Sequence, residues 1–411
     1  MNTRSIGATP ALTVLLALVT AGCESSSSIA TASVFDSAGI TVADLGPAPL
    51  EGADRRALAD EPDLVIRSDE GDGATLLSDV RDVEVLSGGR VAVIDGSGNA
   101  ILLFDAAGEH IATWGGTGDG PGEFRYLEWL ASLPSDSLAA GDGGLRRVTV
   151  FDSEGAFARS FATASAFDPT SCPVPPRPLG LLADGSTIAA FYDRPPAAEG
   201  TARPAVEIVA ASATGDTVYT LGTWPGEELT LFSQDGLLQV TQPPFGRRLH
   251  VATGLDGVWI ADDERWQLRK YSARGAPSMV VRSSVSPMPV TDQLLEAWIT
   301  ERYRHAAQVP TLEDLKRDQR EIARHTTTPN FGAIRGTTEG GVAIGEFGLD
   351  TGSPRVWITV DPNGTATAIE LPAGLDVKRW GPDWVIGVVR DALDREEIRR
   401  YRILADSEGE D

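Results

Sequence analysis

Lysine is almost missing from this 411-residue chain: Lys270, Lys316 and Lys378 are the only three. With 35 Lys+Arg against 59 Asp+Glu the formal charge is −24, which excludes nucleic acid as a partner, because no basic face could offset it against a phosphate backbone. Cysteine is limited to Cys23 and Cys172, so no disulfide framework holds the fold. Histidine is limited to His110, His250, His305 and His325, and no H-E-x-x-H, C-x-x-C or G-x-S-x-G occurs. Zinc-protease, zinc-ribbon and α/β-hydrolase readings therefore find no support. Gly116–Gly122 alternates glycines without matching G-x-G-x-x-G and leads into a strand, so a dinucleotide site fails as well. Long apolar runs are absent too. The one near the start, Ala11–Val19, is far too short for a bilayer core of ~30 Å.

That short run has a different meaning. Arg4 precedes it, and the small residues Thr20, Ala21 and Gly22 lead to Cys23, the pattern of an export signal over residues 1–22. V-T-A-G-C resembles the lipobox of bacterial lipoproteins, which implies acylation of Cys23 and a bilayer as its partner. Residues 23–33, with the Ser25–Ser28 run, then read as a flexible tether. Cys172, left without a partner, reads as a small buried apolar residue.

From residue 34 to 411 the chain repeats a unit of about forty-five residues: strand, tight turn, strand, acid, strand, x-Asp-x-x-Gly turn, strand. The clearest copy runs Val83–Leu86, Gly88-Gly89, Val91–Ile94, Asp95, Ile101–Phe104, Asp105–Gly108 and His110–Trp114. The first turn recurs at Ser135-Asp136, Asp184-Gly185, Asp256-Gly257, Gly340-Gly341 and Pro382-Asp383. The third-turn glycine recurs at Gly155, Gly215, Gly275, Gly364 and Gly409. A four-stranded antiparallel unit cannot bury both faces alone, but six packed radially can. The spacing thus predicts an all-β, six-bladed β-propeller. Its last copy lacks a fourth strand, which Ile40–Leu45 or Leu64–Arg67 must supply; the Gly-rich exit of the second favours it.

Trp114-Gly-Gly-Thr-Gly-Asp-Gly-Pro-Gly-Glu-Phe124, after Phe104-Asp105-x-x-Gly108, resembles the linker between repeats of NHL propellers. The chain over Phe35–Leu404 is similar to six-bladed, NHL-repeat-like bacterial propeller lipoproteins. The resemblance implies the fold and an exported, membrane-anchored location on the periplasmic or cell-surface side. On activity it spans binding modules and metal-dependent lyases or lactonases. Ala211-Ser212 departs from the repeat's Phe-Asp.

Three insertions depart from the repeat: Arg194–Pro204, Pro225–Phe245 and the longest, about 285–330. All three fall in loops that emerge on one face of such a ring, where repeat folds place binding sites. The longest reads as a helical hairpin. Thr291 caps a stripe of Leu294, Leu295, Trp298, Ile299 and Tyr303, and Pro310-Thr311-x-x-Asp314 opens a second helix. Arg302, Arg304, His305, Arg317, Arg320 and Arg324 are interspersed with acids, as on a solvated face.

An acid ends each second strand: Asp95, Asp142, Asp193, Asp262, Glu346 and Asp391. Six carboxylates around one axis could hold Ca²⁺, whereas an Asp opening a loop more commonly accepts backbone N–H groups just ahead of it. His250 lies on an innermost strand and is the histidine nearest to such a site. Trp224 and Trp266 are candidates to stack on a sugar or peptide. No cofactor is otherwise expected. The resulting expectation is a binding module for an unidentified protein or small molecule, without catalysis. Its alternative is a metal-dependent envelope hydrolase or lyase acting in the channel.

Overall fold

The computed structural model describes residues 32–68, 77–163, 176–212, 218–234, 237–254, 256–303, 325–349, 353–391 and 393–405. The signal, Cys23, the tether, Cys172, Gly215 and Gly409 lie outside them. Among the described residues no helix is long and apolar enough to cross a membrane.

Six sheets share one plan of four antiparallel strands joined in order. The first is Val80–Val85, Val91–Asp95, Ala100–Phe104 and His110–Gly115. The second runs Leu127–Ser132 to Phe157–Ala162, the third Arg177–Leu181 to Val218–Pro225, and the fourth Leu249–Thr253 to Pro277–Arg282. The fifth spans Ala333–Gly336 to Ala366–Leu371, and the sixth begins with Asp376–Trp380, Trp384–Arg390 and Glu396–Arg402. Each expected first turn joins the first two strands of its sheet. In the x-Asp-x-x-Gly turns the aspartate Oδ1 accepts two backbone N–H groups, from Ala107 and Glu109 at Asp105 and from Glu154 and Ala156 at Asp152. Gly108 has φ +87°, and a Cβ there would meet the Val65 carbonyl at 2.9 Å, so both backbone and neighbour demand glycine.

The first strands of successive sheets touch in order, from Val80–Val85 round to Asp376–Trp380 and back to Val80–Val85. The apolar cores fall between neighbouring sheets in the same order. Leu86, Ile94, Leu127 and Leu138 join the first to the second. Trp129 and Leu181 join the second to the third, and Ile208 and Ile260 the third to the fourth. Trp259 and Ile344 join the fourth to the fifth, and Trp357 and Trp380 the fifth to the sixth. Ile386, Ile398, Val83 and Val93 close the circuit from sixth to first. This is a propeller-type arrangement, with side chains of alternate strand positions filling each wedge.

Of the two candidates for the missing strand, Leu64–Arg67 completes the sixth sheet, pairing Ile66 with Ile398 and Arg67 with Glu397 in antiparallel register. Ile40–Asp44 instead adds in parallel to Pro277–Arg282, with Ser33–Ser37 folded back upon it. Asp54–Arg56 adds in parallel to Ala366–Leu371. The fourth and fifth sheets therefore carry six and five strands where the repeat predicts four. The cause is the unpaired row of N–H and C=O groups on an outermost strand, which the N-terminal segment covers as it runs past.

The first two insertions meet in a small sheet: Gly200–Ala202 pairs with Leu229–Leu231, and Leu229–Gln234 with Leu237–Thr241. The third contributes the helix Asp292–Arg302, capped by Thr291 Oγ1 accepting from Leu294 N at 3.2 Å, with Leu295 and Ile299 buried. The expected second helix lies outside the described residues, as do Arg304, His305, Arg317, Arg320 and Arg324.

Closure predicts unequal effects of two changes. Ile66 is 1% exposed, so Ile66→Ala should lower stability by about 2–5 kcal/mol and the melting temperature by several degrees. Deleting the Ser33–Ser37 strand, exposed at every position, should leave the melt nearly unchanged. Equal shifts for the two would show that Leu64–Arg67 does not close the ring.

Candidate functional site

The first strands face the axis, and charge sits on them where apolar residues would otherwise be expected. Arg379, on the sixth sheet, donates from all three nitrogens. Nε reaches Glu84 Oε2 at 2.8 Å, and Nη1 and Nη2 each reach an Asp82 oxygen at 2.7 Å. Nη1 and Nη2 also donate to the carbonyls of Lys378 and, on the second sheet, Leu130. Asp82 in turn accepts from Leu130 N at 2.9 Å. Burial works against the charge on Arg379, but Asp82 and Glu84 hold its pKa well above the ordinary arginine value. Glu84 is pushed up by burial, which Arg379 offsets only in part.

Arg335, on the first strand of the fifth sheet, is the neighbouring axial cation. Its Nε donates to Val377 O at 2.7 Å and Nη1 to Ile334 O at 2.9 Å. Its Nη2 lies 3.8 Å from Asp376 Oδ1, a carboxylate that Lys378 Nζ approaches at 2.8 Å. Burial depresses its pKa and Asp376 offsets this in part, yet its side chain keeps 32% of its exposure. Surrounded by protein but open on one side, Arg335 faces a cavity.

That cavity has a volume of about 960 Å³ and opens among the loops at the ends of the second strands. The fifth and sixth sheets form its floor with Arg335, Trp357, Leu371 and Val377; Phe245 and the helix residue Trp298 reach it from the insertions. Phe245 meets Phe347 edge to face at 5.9 Å. Arg355 also lines it. Glycines at its wall are set by close neighbours: a Cβ would meet the Trp357 ring at 2.8 Å from Gly345, the Glu346 carbonyl at 3.0 Å from Gly332 and Pro243 at 3.0 Å from Gly246. The third insertion is tied down beside it. Glu228 Oε2 accepts from Arg247 N at 2.9 Å and lies 2.6 Å from His325 Nε2. Burial would raise the Glu228 pKa, but these two partners bring it below the ordinary value.

The six acids end or follow their second strands as the repeat predicts, and each has its own surroundings. Asp95 accepts from Ser97 N and Gly98 N, and burial raises its pKa. Asp142, fully buried, accepts from Arg125, Tyr126 and Leu145 N–H groups. Asp262 accepts from Glu264 N and pairs with Arg203 at 3.0 Å. Asp391 accepts from Leu393 and Arg395 N–H groups, which lower its pKa. Asp193 is exposed. Glu346 lines the cavity, and desolvation raises its pKa. Among the described residues no three His, Cys, Asp or Glu side chains are placed to hold a metal ion.

His250 lies 3.1 Å from Asp263 Oδ2 and packs against the Phe331 ring, 14% exposed. Trp266 is buried against the same ring, and Trp224 packs edge to face on Tyr271, so both tryptophans are packing residues. Arg335, Arg379, Asp82 and Glu84 were not singled out by the repeat. The signal available was a charge within an otherwise apolar first strand, as in V-R-D-V-E-V and A-I-R-G.

Arg379→Met should strand Asp82 and Glu84 among buried neighbours, at a cost of about 3–5 kcal/mol. Burial already raises the Glu84 pKa and Arg379 is what opposes this, so without the guanidinium the native state binds more protons than the unfolded chain. Stability of the variant should then rise as pH falls from 7 toward 5, narrowing its gap to wild type in urea melts. A gap that is constant or widens over that range would refute this account of the axial charges.

No family model matches the chain, and no curated protein does. Several solved structures are similar in outline. A Bacteroides fragilis protein described as exported is 12% identical, with 88% of this chain and 100% of that one covered and a TM-score of 0.48. Virginiamycin B lyase from Staphylococcus aureus is 10% identical over 83% and 98% of the two chains, with a TM-score of 0.41. The calcium-binding protein regucalcin from Agrobacterium tumefaciens is 12% identical over 85% and 97%, with a TM-score of 0.40. At these identities none of them bears on what this chain binds.

Proposed function

We propose that the chain is an exported, lipid-anchored, six-bladed β-propeller that acts as a recognition module, taking a small ligand in the cavity on its insertion-bearing face. Export rests on residues 1–22, and anchoring on V-T-A-G-C with acylated Cys23, with residues 23–33 as tether and 34–411 as the propeller. Six sheets of one plan and the sequential contacts of their first strands support the reading of six blades. The binding reading rests on one observation. A cavity of about 960 Å³ brings the apolar side chains of Phe245, Trp298, Phe347 and Leu375 together with a lining rich in charge, five arginines and seven acids, and a concavity of that size is where small ligands bind. Its mechanism is capture by a rigid floor, with Phe245 and Trp298 on the insertions shaping the entrance.

Two measurements test this reading. The full-length protein should fractionate with membranes and Cys23→Ser should not; membrane association of the variant would remove the anchor. Small aromatic compounds, neutral and acidic alike, should raise the melting temperature of the protein, since a ligand bound only by the native state stabilises it by RT ln(1 + [L]/Kd). Trp298→Ala combined with Phe347→Ala should abolish that shift. Shifts that survive the double variant, or no shift with any compound, would move the site elsewhere.

A further inference from the structure

Two arginines on neighbouring first strands differ in how their hydrogens are used. Arg379 directs five hydrogen bonds to Glu84, Asp82, Lys378 O and Leu130 O, matching the five N–H groups of a guanidinium. Arg335 makes two, both to backbone carbonyls of its own and the adjacent first strand. Its Nη2 has no hydrogen bond among the described residues, and the closest carboxylate, Asp376, stands 3.8 Å off with Lys378 nearer. Three N–H groups of a cation are thus left over where burial already disfavours charge. These donors face the cavity, where the Arg335 side chain keeps 32% of its exposure, so they are reachable from it. Their orientation is set in advance, because the two carbonyls grip the guanidinium from behind.

We propose that Arg335 reads a carboxylate, and that the ligand of the cavity is a small monocarboxylic acid with an aromatic or branched apolar body. The inference rests on the cavity reading above and names its ligand class. A planar guanidinium presenting free parallel N–H groups matches a carboxylate in two-point geometry. Arg355, a second cation on the lining, forms no ion pair among the described residues and adds positive potential at the rim. Most lining acids are already engaged: Asp263 with Arg248 N and His250, Glu396 with Val80 N and Arg390, Asp391 with Arg395. Glu346 is the exception, a desolvated carboxylate whose side chain has no hydrogen bond among the described residues and which opposes a second negative charge. Trp298, Phe347 and Leu375 supply the apolar wall for the remainder of the ligand.

Calorimetry of the full-length protein at pH 7 with phenylacetate and 4-phenylbutyrate, each against its neutral amide, tests the assignment. The acids should bind more tightly than the amides. Arg335→Met should cut the acid-to-amide affinity ratio by about ten- to hundredfold while amide binding persists. Glu346→Gln should raise the same ratio, which keeps the test readable if Arg335→Met fails to fold. Acid and amide binding equally to wild type would overturn the carboxylate assignment and leave the cavity reading standing. Neither binding would overturn both. A ratio unmoved by Arg335→Met, or lowered by Glu346→Gln, would also overturn the assignment.

Discussion

A ring of sheets is held shut only where its last sheet is joined to its first, and here that junction links residues more than three hundred positions apart. Arg67 and Glu397 face each other across it at 2.9 Å. Backbone pairing of Leu64–Arg67 is the first of three ties. Glu396 adds a second by accepting from Val80 N at 2.7 Å, and Arg379 a third through Asp82 and Glu84. Closing so long a loop costs entropy that grows only slowly with length, so many modest contacts suffice once the sheets have formed. The cavity depends on the same event, because Val80 and Glu396, on opposite sides of the junction, both line it.

The axial charges show why closure is specific as well as favourable. An ion set removed from bulk water gains little net stability over apolar residues of equal volume. Its contribution is directional. Five donors on Arg379 fix the sixth, first and second sheets at one mutual spacing, since Leu130 is reached across the first sheet. An apolar cluster at that position would tolerate sliding, whereas a slip of one residue here would leave Asp82 and Glu84 unpaired.

How much of this is legible in the sequence depends on how local each interaction is. The repeat is legible because its turns are self-contained: Asp105 and Asp152 bind N–H groups two and four residues ahead, so spacing alone reveals them. The same locality occupies several of the acids that the repeat places at the ends of second strands. Asp95 and Asp391 accept from backbone groups two to four residues ahead, and Asp142 adds Arg125 N and Tyr126 N to the nearby Leu145 N. The closing strand is legible through the loop that follows it, but neither the parallel partner of Ile40–Asp44 nor the strand Asp54–Arg56 is, because parallel addition to an outer edge leaves no mark near either residue run. Arg335 and Arg379 fall between these cases. A charge inside an apolar strand announces that something compensates it, and only the closed ring shows what.

The position of the cavity follows from that division of labour. Around Asp82, Glu84 and Leu130 the axis is occupied by Arg379, whose donors are all used, leaving nothing there for a ligand to complete. On the side of the fifth and sixth sheets the cavity opens beside Arg335, Ala333 and Leu375, and the insertions add Phe245 and Trp298 to its lining. Space, apolar surface and unused donors therefore coincide on one side of the ring. Because the floor is built from first strands held by closure and the roof from insertions outside the repeat, changes in the roof can alter ligand shape without disturbing the ring. The charge read at the floor would remain fixed by Val377 O and Ile334 O, which belong to the fold itself.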